Sequence, residues 1–222
     1  QFNQMNSVTL EGVPLPGVTM GDAVGFLEAE AAKAFPAGYT IDYKGQSRQF
    51  KEQGSALVIT FFLSLLVIYL VLAAQFESWR DPFIILVSVP LSVAGAMAFI
   101  ALGFASMNIY TQVGLITLIG VVSKNGILIV EFANQIQRDQ ELNKHEAVIE
   151  AAAIRLRPII MTSIALVVAM VPLLIASGPG AESRFAIGLT IATGLSIGTF
   201  FTLFVLPAVY SLMARQHKAS EL

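Results

Sequence analysis

Residues 82–130 read PFIILVSVPLSVAGAMAFIALGFASMNIYTQVGLITLIGVVSKNGILIV, and Lys124 is the only charged side chain among them. A helix needs about 20 apolar residues to cross the hydrocarbon core. This stretch supplies two such helices, separated by a short turn at Gly103-Phe104-Ala105-Ser106. An α-helical integral membrane protein is therefore expected. A charge at the depth of Lys124 costs roughly 2.5–3.5 kcal/mol on insertion scales, so it needs a counter-charge or a water-filled path. No Asp or Glu lies deep inside any apolar run of the chain. The counter-charge is expected from polypeptide outside this sequence.

The whole composition agrees. Of 222 residues, 55% are hydrophobic and 13% charged, about half the charge of a typical soluble domain, and the mean hydropathy is +0.73. The net charge is −2 with no basic stripe, so no nucleic-acid partner is expected. The chain has no cysteine, which rules out disulfides and thiolate metal sites. His145 and His217 lie in polar segments and read as solvated. There is no Walker A pattern, no His/carboxylate cluster and no nucleophile elbow. An enzyme, a metal and a cofactor are all unexpected, and an ion gradient is the expected source of work.

Working outward, five membrane spans are expected: 54–76, 82–102, 108–133, 158–177 and 185–214. Pro158 stands in the first turn of the fourth, where a missing N–H is harmless. Between the third and fourth, Asn143 and Glu146 predict the start of a short helix over about 143–153, lying on the membrane surface. Residues 1–50 are polar enough for water. Val8 and Leu10 alternate with Thr9 as in a strand, and Pro14, Pro16 and Gly17 break it. Thr19 and Asp22 resemble a capping box, followed by helical spacing of Ala23, Phe26, Leu27, Ala31 and Ala34 up to Pro36-Ala37-Gly38. Tyr39, Ile41 and Tyr43 alternate again. A β-α-β remnant of a larger soluble domain is thus expected, since a parallel pair belongs to a wider sheet. Gln1-Phe2-Asn3-Gln4 has neither an initiator Met nor a signal-peptide pattern, which predicts a fragment.

Lys and Arg set orientation. Arg80, Arg138, Lys144, Arg155, Arg157, Arg215 and Lys218 fall on one side, and only Arg184 falls in the short loops of the other. The first side is expected to be cytoplasmic, which places residues 1–50 in the periplasm and residues 215–222 in a cytoplasmic tail.

Lys124 sits too far from either end of its span to snorkel readily, so a proton or ion pathway is the functional reading. Asn125 and Ser123 beside it offer hydrogen bonds. Glu131 is seven residues on, on the same face, and reads equally as solvated or functional. Arg155 and Arg157 anchor headgroups or serve the pathway. Thr162, seven residues after Arg155, lies about 10 Å deeper on the same face; it relays a proton or bonds its own backbone. Gly194 and Gly198 form a GxxxG, and Gly188, Ala192 and Ser196 a second small-residue row, both suited to close helix contact. Pro90, Pro172 and Pro207 predict kinks within spans.

Four segments then carry a resemblance: Ala73-Ala74-Gln75-Phe76-Glu77-Ser78-Trp79, Val89-Pro90-Leu91, the run from Ser123 to Ala133 (SKNGILIVEFA), and the run from Arg155 to Ser163 (RLRPIIMTS). In this order they resemble the C-terminal half of resistance-nodulation-division permeases, most nearly the hydrophobe/amphiphile multidrug efflux branch, over nearly the whole chain. The resemblance implies twelve spans in two pseudo-repeated halves, of which this chain holds the eighth to twelfth, with residues 1–50 ending a periplasmic porter subdomain. It implies that Lys124 pairs with two aspartates on a span of the missing N-terminal half, and that Thr162 and Arg155 serve the same proton relay. It further implies a homotrimer in the bacterial inner membrane, a periplasmic adaptor, an outer-membrane channel, and proton-driven export of drugs or other amphiphiles. Many members carry Ala where this chain has Gly126, which changes packing beside Lys124. A metal-ion or lipid exporter of the same superfamily, and a non-transporting assembly or protein-translocation accessory subunit, are the rival readings.

Overall fold

The computed structural model describes residues 5–13, 15, 18–36 and 38–216. The break expected at Pro14, Pro16 and Gly17, the Ala37 position, and His217 and Lys218 of the tail lie outside them.

Seven helices occur among the described residues: α1 (Met20–Ala34), α2 (Gln46–Phe76), α3 (Arg80–Leu86), α4 (Ser88–Ala101), α5 (Ile109–Gln140), α6 (Lys144–Leu174) and α7 (Ala181–Met213). Five stretches are long and apolar enough to cross a membrane, with α3 and α4 together forming one of them. The α-helical membrane architecture stands. The β-α-β remnant does not: no strand occurs among the described residues, and only its helix, α1, is present. Val8 and Tyr39, read as strand residues, are 91% and 70% exposed. Alternation alone cannot make a strand without a neighbouring strand to take up its N–H and C=O groups.

The helix of that segment forms for local reasons. Asp22 N–H donates to Thr19 Oγ1 and Thr19 N–H to Asp22 Oδ2, both at 3.2 Å, so the capping box closes with Asp in place of Glu. Asn108 caps α5 in the same reciprocal way with Thr111, at 2.9 Å each way.

Proline shapes the spans unequally. Pro90 has no N–H to offer the Leu86 carbonyl, and the second span divides at Val87 into α3 and α4. Pro158 behaves otherwise. The separate surface helix expected over 143–153 and the span expected from Pro158 are one continuous helix, α6. Ala147, Val148, Ala151 and Ile159 are buried on both sides of the proline, and this packing holds the two parts in line. Asn143 occupies the cap position, but its side chain makes no cap bond.

α5 and α7 form the centre. A Cβ added at Gly198 would fall 2.1 Å from Ser92 Oγ of α4, and one at Gly194 would fall 2.3 Å from Leu118 Cδ2 of α5. A Cβ at Gly188 would fall 3.0 Å from Leu173 Cβ of α6. The two small-residue rows thus face different neighbours, and α7 is wedged between α4/α5 and α6. Gly126 is also tight, since a Cβ there would lie 3.0 Å from Ile85 Cγ2 and 3.1 Å from Leu206 Cδ1. α2 packs on α3 and α5 along one side, and Phe62, Leu66, Val67 and Val71 on its other faces are exposed.

Candidate functional site

The outward face of α5 runs through Val113, Thr117, Gly120, Lys124, Glu131, Gln135 and Arg138, all exposed. The spacing keeps them on one helical stripe. Nothing lies within 4 Å of a Cβ placed at Gly120, so this stripe is uncovered in the chain as described. Lys124 therefore projects from the bundle at mid-span. On a helix that crosses a bilayer, such exposure faces lipid, another part of a protein or a water-filled cavity.

No ion pair among the described residues involves Lys124; the three that occur lie within residues 28–52. Lys124, Arg155 and Thr162 are not joined to one another by any hydrogen bond. Thr162 is half-buried, and its hydroxyl donates to the Ile159 carbonyl at 3.1 Å, the backbone alternative weighed for it. Ser123 likewise donates to the Ile119 carbonyl at 2.7 Å. Glu131 lies on the same exposed stripe as Lys124.

Arg155 is better held. It is half-buried, and its guanidinium lies over the Phe132 ring of α5, 4.3 Å from the centroid. Its Nε–H is buried without an acceptor. Arg157 is exposed.

Asn125 turns inward, away from the lysine stripe. Its Nδ2 lies 3.4 Å from both Ser163 Oγ of α6 and Thr199 Oγ1 of α7. Sequence reasoning missed Ser163 and Thr199; the one available signal was their position beside Thr162 and within the Gly198 turn.

A second buried polar cluster was also missed. Asp81, at the start of α3 and just ahead of the apolar run that opens at Pro82, is 3% exposed. Asn134 Nδ2 donates to Asp81 Oδ2 at 2.9 Å. The Tyr210 hydroxyl donates to Asn134 Oδ1, and Gln137 Nε2 donates to the Tyr210 oxygen at 2.7 Å. Every donor in this chain of bonds points toward the Asp81 carboxylate. Asp81 stands next to Pro82 at a span boundary, where linear reading places it in the headgroup region; α5 and α7 fold over it instead. It belongs to the end of the bundle that carries Arg138 and Arg215, remote in sequence from Lys124. Among the described residues, no group of three or more His, Cys, Asp or Glu side chains is arranged to hold a metal.

Comparison with known proteins places these features. The profile of the AcrB/AcrD/AcrF family matches residues 1–214. The chain is 50% identical, over 98% of its length, to an uncharacterized transporter of Haemophilus influenzae, of which it covers 22%. It is 40% identical over 95% of its length to the toluene efflux pump membrane transporter TtgB of Pseudomonas putida, covering 20% of that protein. It is 34% identical over 98% of its length to the multidrug export protein AcrF of Escherichia coli, covering 21%. The chain thus spans about one fifth of the length of the curated relatives it matches.

Proposed function

Because this chain belongs to the AcrB/AcrD/AcrF family of resistance-nodulation-division efflux transporters, we propose that it is the C-terminal part of a proton-driven antiporter exporting drugs or other amphiphilic compounds. The observation that carries this reading is Lys124, a lone ammonium at mid-span on the uncovered stripe of α5. A charge so placed is stable only against an acidic partner or in a wet cavity. The missing N-terminal half supplies that partner as paired aspartates on a facing span.

Protonation of those aspartates weakens their hold on Lys124. The lysine swings, and packed helices with two discrete arrangements pass the shift toward the periplasmic part. Arg155 serves the same relay from α6, on the side of α5 where Phe132 supports it. Thr162 joins by exchanging its Ile159 carbonyl for a water or the lysine. Asn125, Ser123 and Glu131 support the lysine stripe. The working unit is a homotrimer in the inner membrane, its N-terminal segment periplasmic, with an adaptor and an outer-membrane channel. Relatives named for toluene, solvent and multidrug export favour amphiphiles over metal ions as substrate.

Lys124→Met in the full-length protein is expected to abolish efflux while leaving expression and trimer assembly near normal. Retained drug resistance in that variant would remove the lysine from the mechanism. Thr162→Ala is expected to lower transport without abolishing it.

A further inference from the structure

Lys124 and Asn125 are neighbours on α5, and Thr162 and Ser163 are neighbours on α6. In both pairs the first residue is turned outward and the second inward. Lys124 is exposed and Thr162 half-buried, whereas Asn125 is 3% and Ser163 6% exposed. The inward residues meet Thr199 of α7, where Ser163 Oγ and Thr199 Oγ1 lie 2.9 Å apart. One amide nitrogen with two hydrogens faces two hydroxyl oxygens. Each bond from Asn125 is long, but together the three contacts close a triangle across three helices.

Those two hydroxyls are used unlike the other buried ones. Ser88, Ser92, Thr111, Ser123, Thr190 and Thr202 each donate to a carbonyl three or four residues back along the chain, the usual habit of a hydroxyl in a helix. Ser163 and Thr199 instead meet across the α6–α7 interface and accept from Asn125. In an apolar interior the alternative to that bond is an unsatisfied amide.

Successive residues on a helix project about 100° apart. Holding Asn125 against α6 and α7 therefore fixes the direction in which Lys124 leaves α5. A turn of α5 that swings the lysine breaks the triangle. We propose that Ser163 and Thr199 are positioning residues of the lysine relay, acting through Asn125. This inference rests on the reading of Lys124 given under Proposed function.

The test uses the full-length transporter, with efflux measured across a range of pH for Thr199→Val, Ser163→Ala and Thr199→Ser. Loss of one interhelical bond of this kind corresponds to a factor of about three to ten. Thr199→Val and Ser163→Ala are expected to slow efflux by about that factor and to displace its pH profile. Thr199→Ser, which keeps the hydroxyl, is expected to restore both. Asn125→Leu combined with Thr199→Val is expected to be no slower than Asn125→Leu alone, because both remove the same triangle. Two outcomes overturn the proposal: Thr199→Val with wild-type rate and profile, or losses that track only the amount of folded protein with the profile unmoved. A Lys124→Met control that still exports drug sinks the relay reading itself. A Lys124→Met variant that exports no drug, beside a Thr199→Val variant with wild-type rate and profile, removes only the positioning role.

Discussion

The Arg155 guanidinium of α6 lies over the Phe132 ring of α5, 4.3 Å from its centroid, with Nε–H buried and unbonded. A cation held in this way is worth about 0.5–2 kcal/mol, depending on desolvation. Phe132→Leu should lower the thermal midpoint of the full-length protein, and Phe132→Trp, which keeps a π face, should not. Arg155→Ala should impair efflux more than Arg157→Ala, since Arg157 is exposed. The reverse order would argue that both arginines only anchor headgroups.

Gly198 is the tightest of the close approaches. A Cβ there would fall 2.1 Å from Ser92 Oγ and 2.8 Å from Ser92 Cβ. Gly198→Ala should therefore destabilise the bundle by about 1–3 kcal/mol through overpacking. Adding Ser92→Gly removes the clashing atoms and should recover much of the loss in a thermal unfolding assay. A double variant no better than the single would show that the helices separate rather than clash.

Asn134 is the hinge of the buried cluster around Asp81. Asn134→Leu strips the donor from Asp81 Oδ2 and the acceptor from the Tyr210 hydroxyl. A buried group left unsatisfied costs about 1–3 kcal/mol, more when charged. Asp81→Asn placed in the Asn134→Leu background should recover part of that loss, because a neutral amide is cheaper to bury than a carboxylate. Unfolding of Asn134→Leu at the wild-type temperature would show that water already serves the cluster.

Ahead of the first membrane-crossing stretch, which begins at Val58, α1 is tied to α2 through Glu28. Lys51 Nζ lies 2.6 Å from Glu28 Oε1, and the Tyr43 hydroxyl donates to the same carboxylate. The Lys51 hydrogen bond, then that from Tyr43, lowers the Glu28 carboxyl below its ordinary value of 4.5. The bond to Glu28 pushes the Tyr43 hydroxyl up to about 12 from its ordinary 10.0. The Glu28 contribution to stability is present above 4.5 and is lost as pH falls through the lowered value. The Tyr43 contribution is complete below 10.0 and is lost as pH rises through about 12. The tie should be firmest between those limits. In Glu28→Gln, the ultraviolet titration of Tyr43, identified by difference against Tyr43→Phe, should move back toward 10.0. An unmoved midpoint would mean that the two side chains do not interact.

Hydropathy and lone features were legible in the sequence; pairings were not. Five apolar stretches and the isolation of Lys124 are properties of the linear chain, because a bilayer selects on length and charge alone. The Thr19–Asp22 cap is equally local, with its partners three residues apart. The kink at Pro90 followed from one missing N–H. Pro158 did not break α6 because packing on both sides of it outweighed one lost hydrogen bond, and a linear reading contains no packing. The strands around Val8 and Tyr39 failed for the complementary reason: a strand is made by its neighbours, and no strand lies beside these segments among the described residues.

The amino-acid order by itself determined that this chain lives in a membrane as helices and that one ammonium stands unmatched within it. The tertiary structure decided which way that ammonium points, that Asn125 turns inward to Ser163 and Thr199, and that Asp81 is enclosed by Asn134 and Tyr210. Depth in a bilayer is set by cumulative hydropathy along the chain, whereas azimuth and partnership are set by how helices far apart in sequence pack against one another.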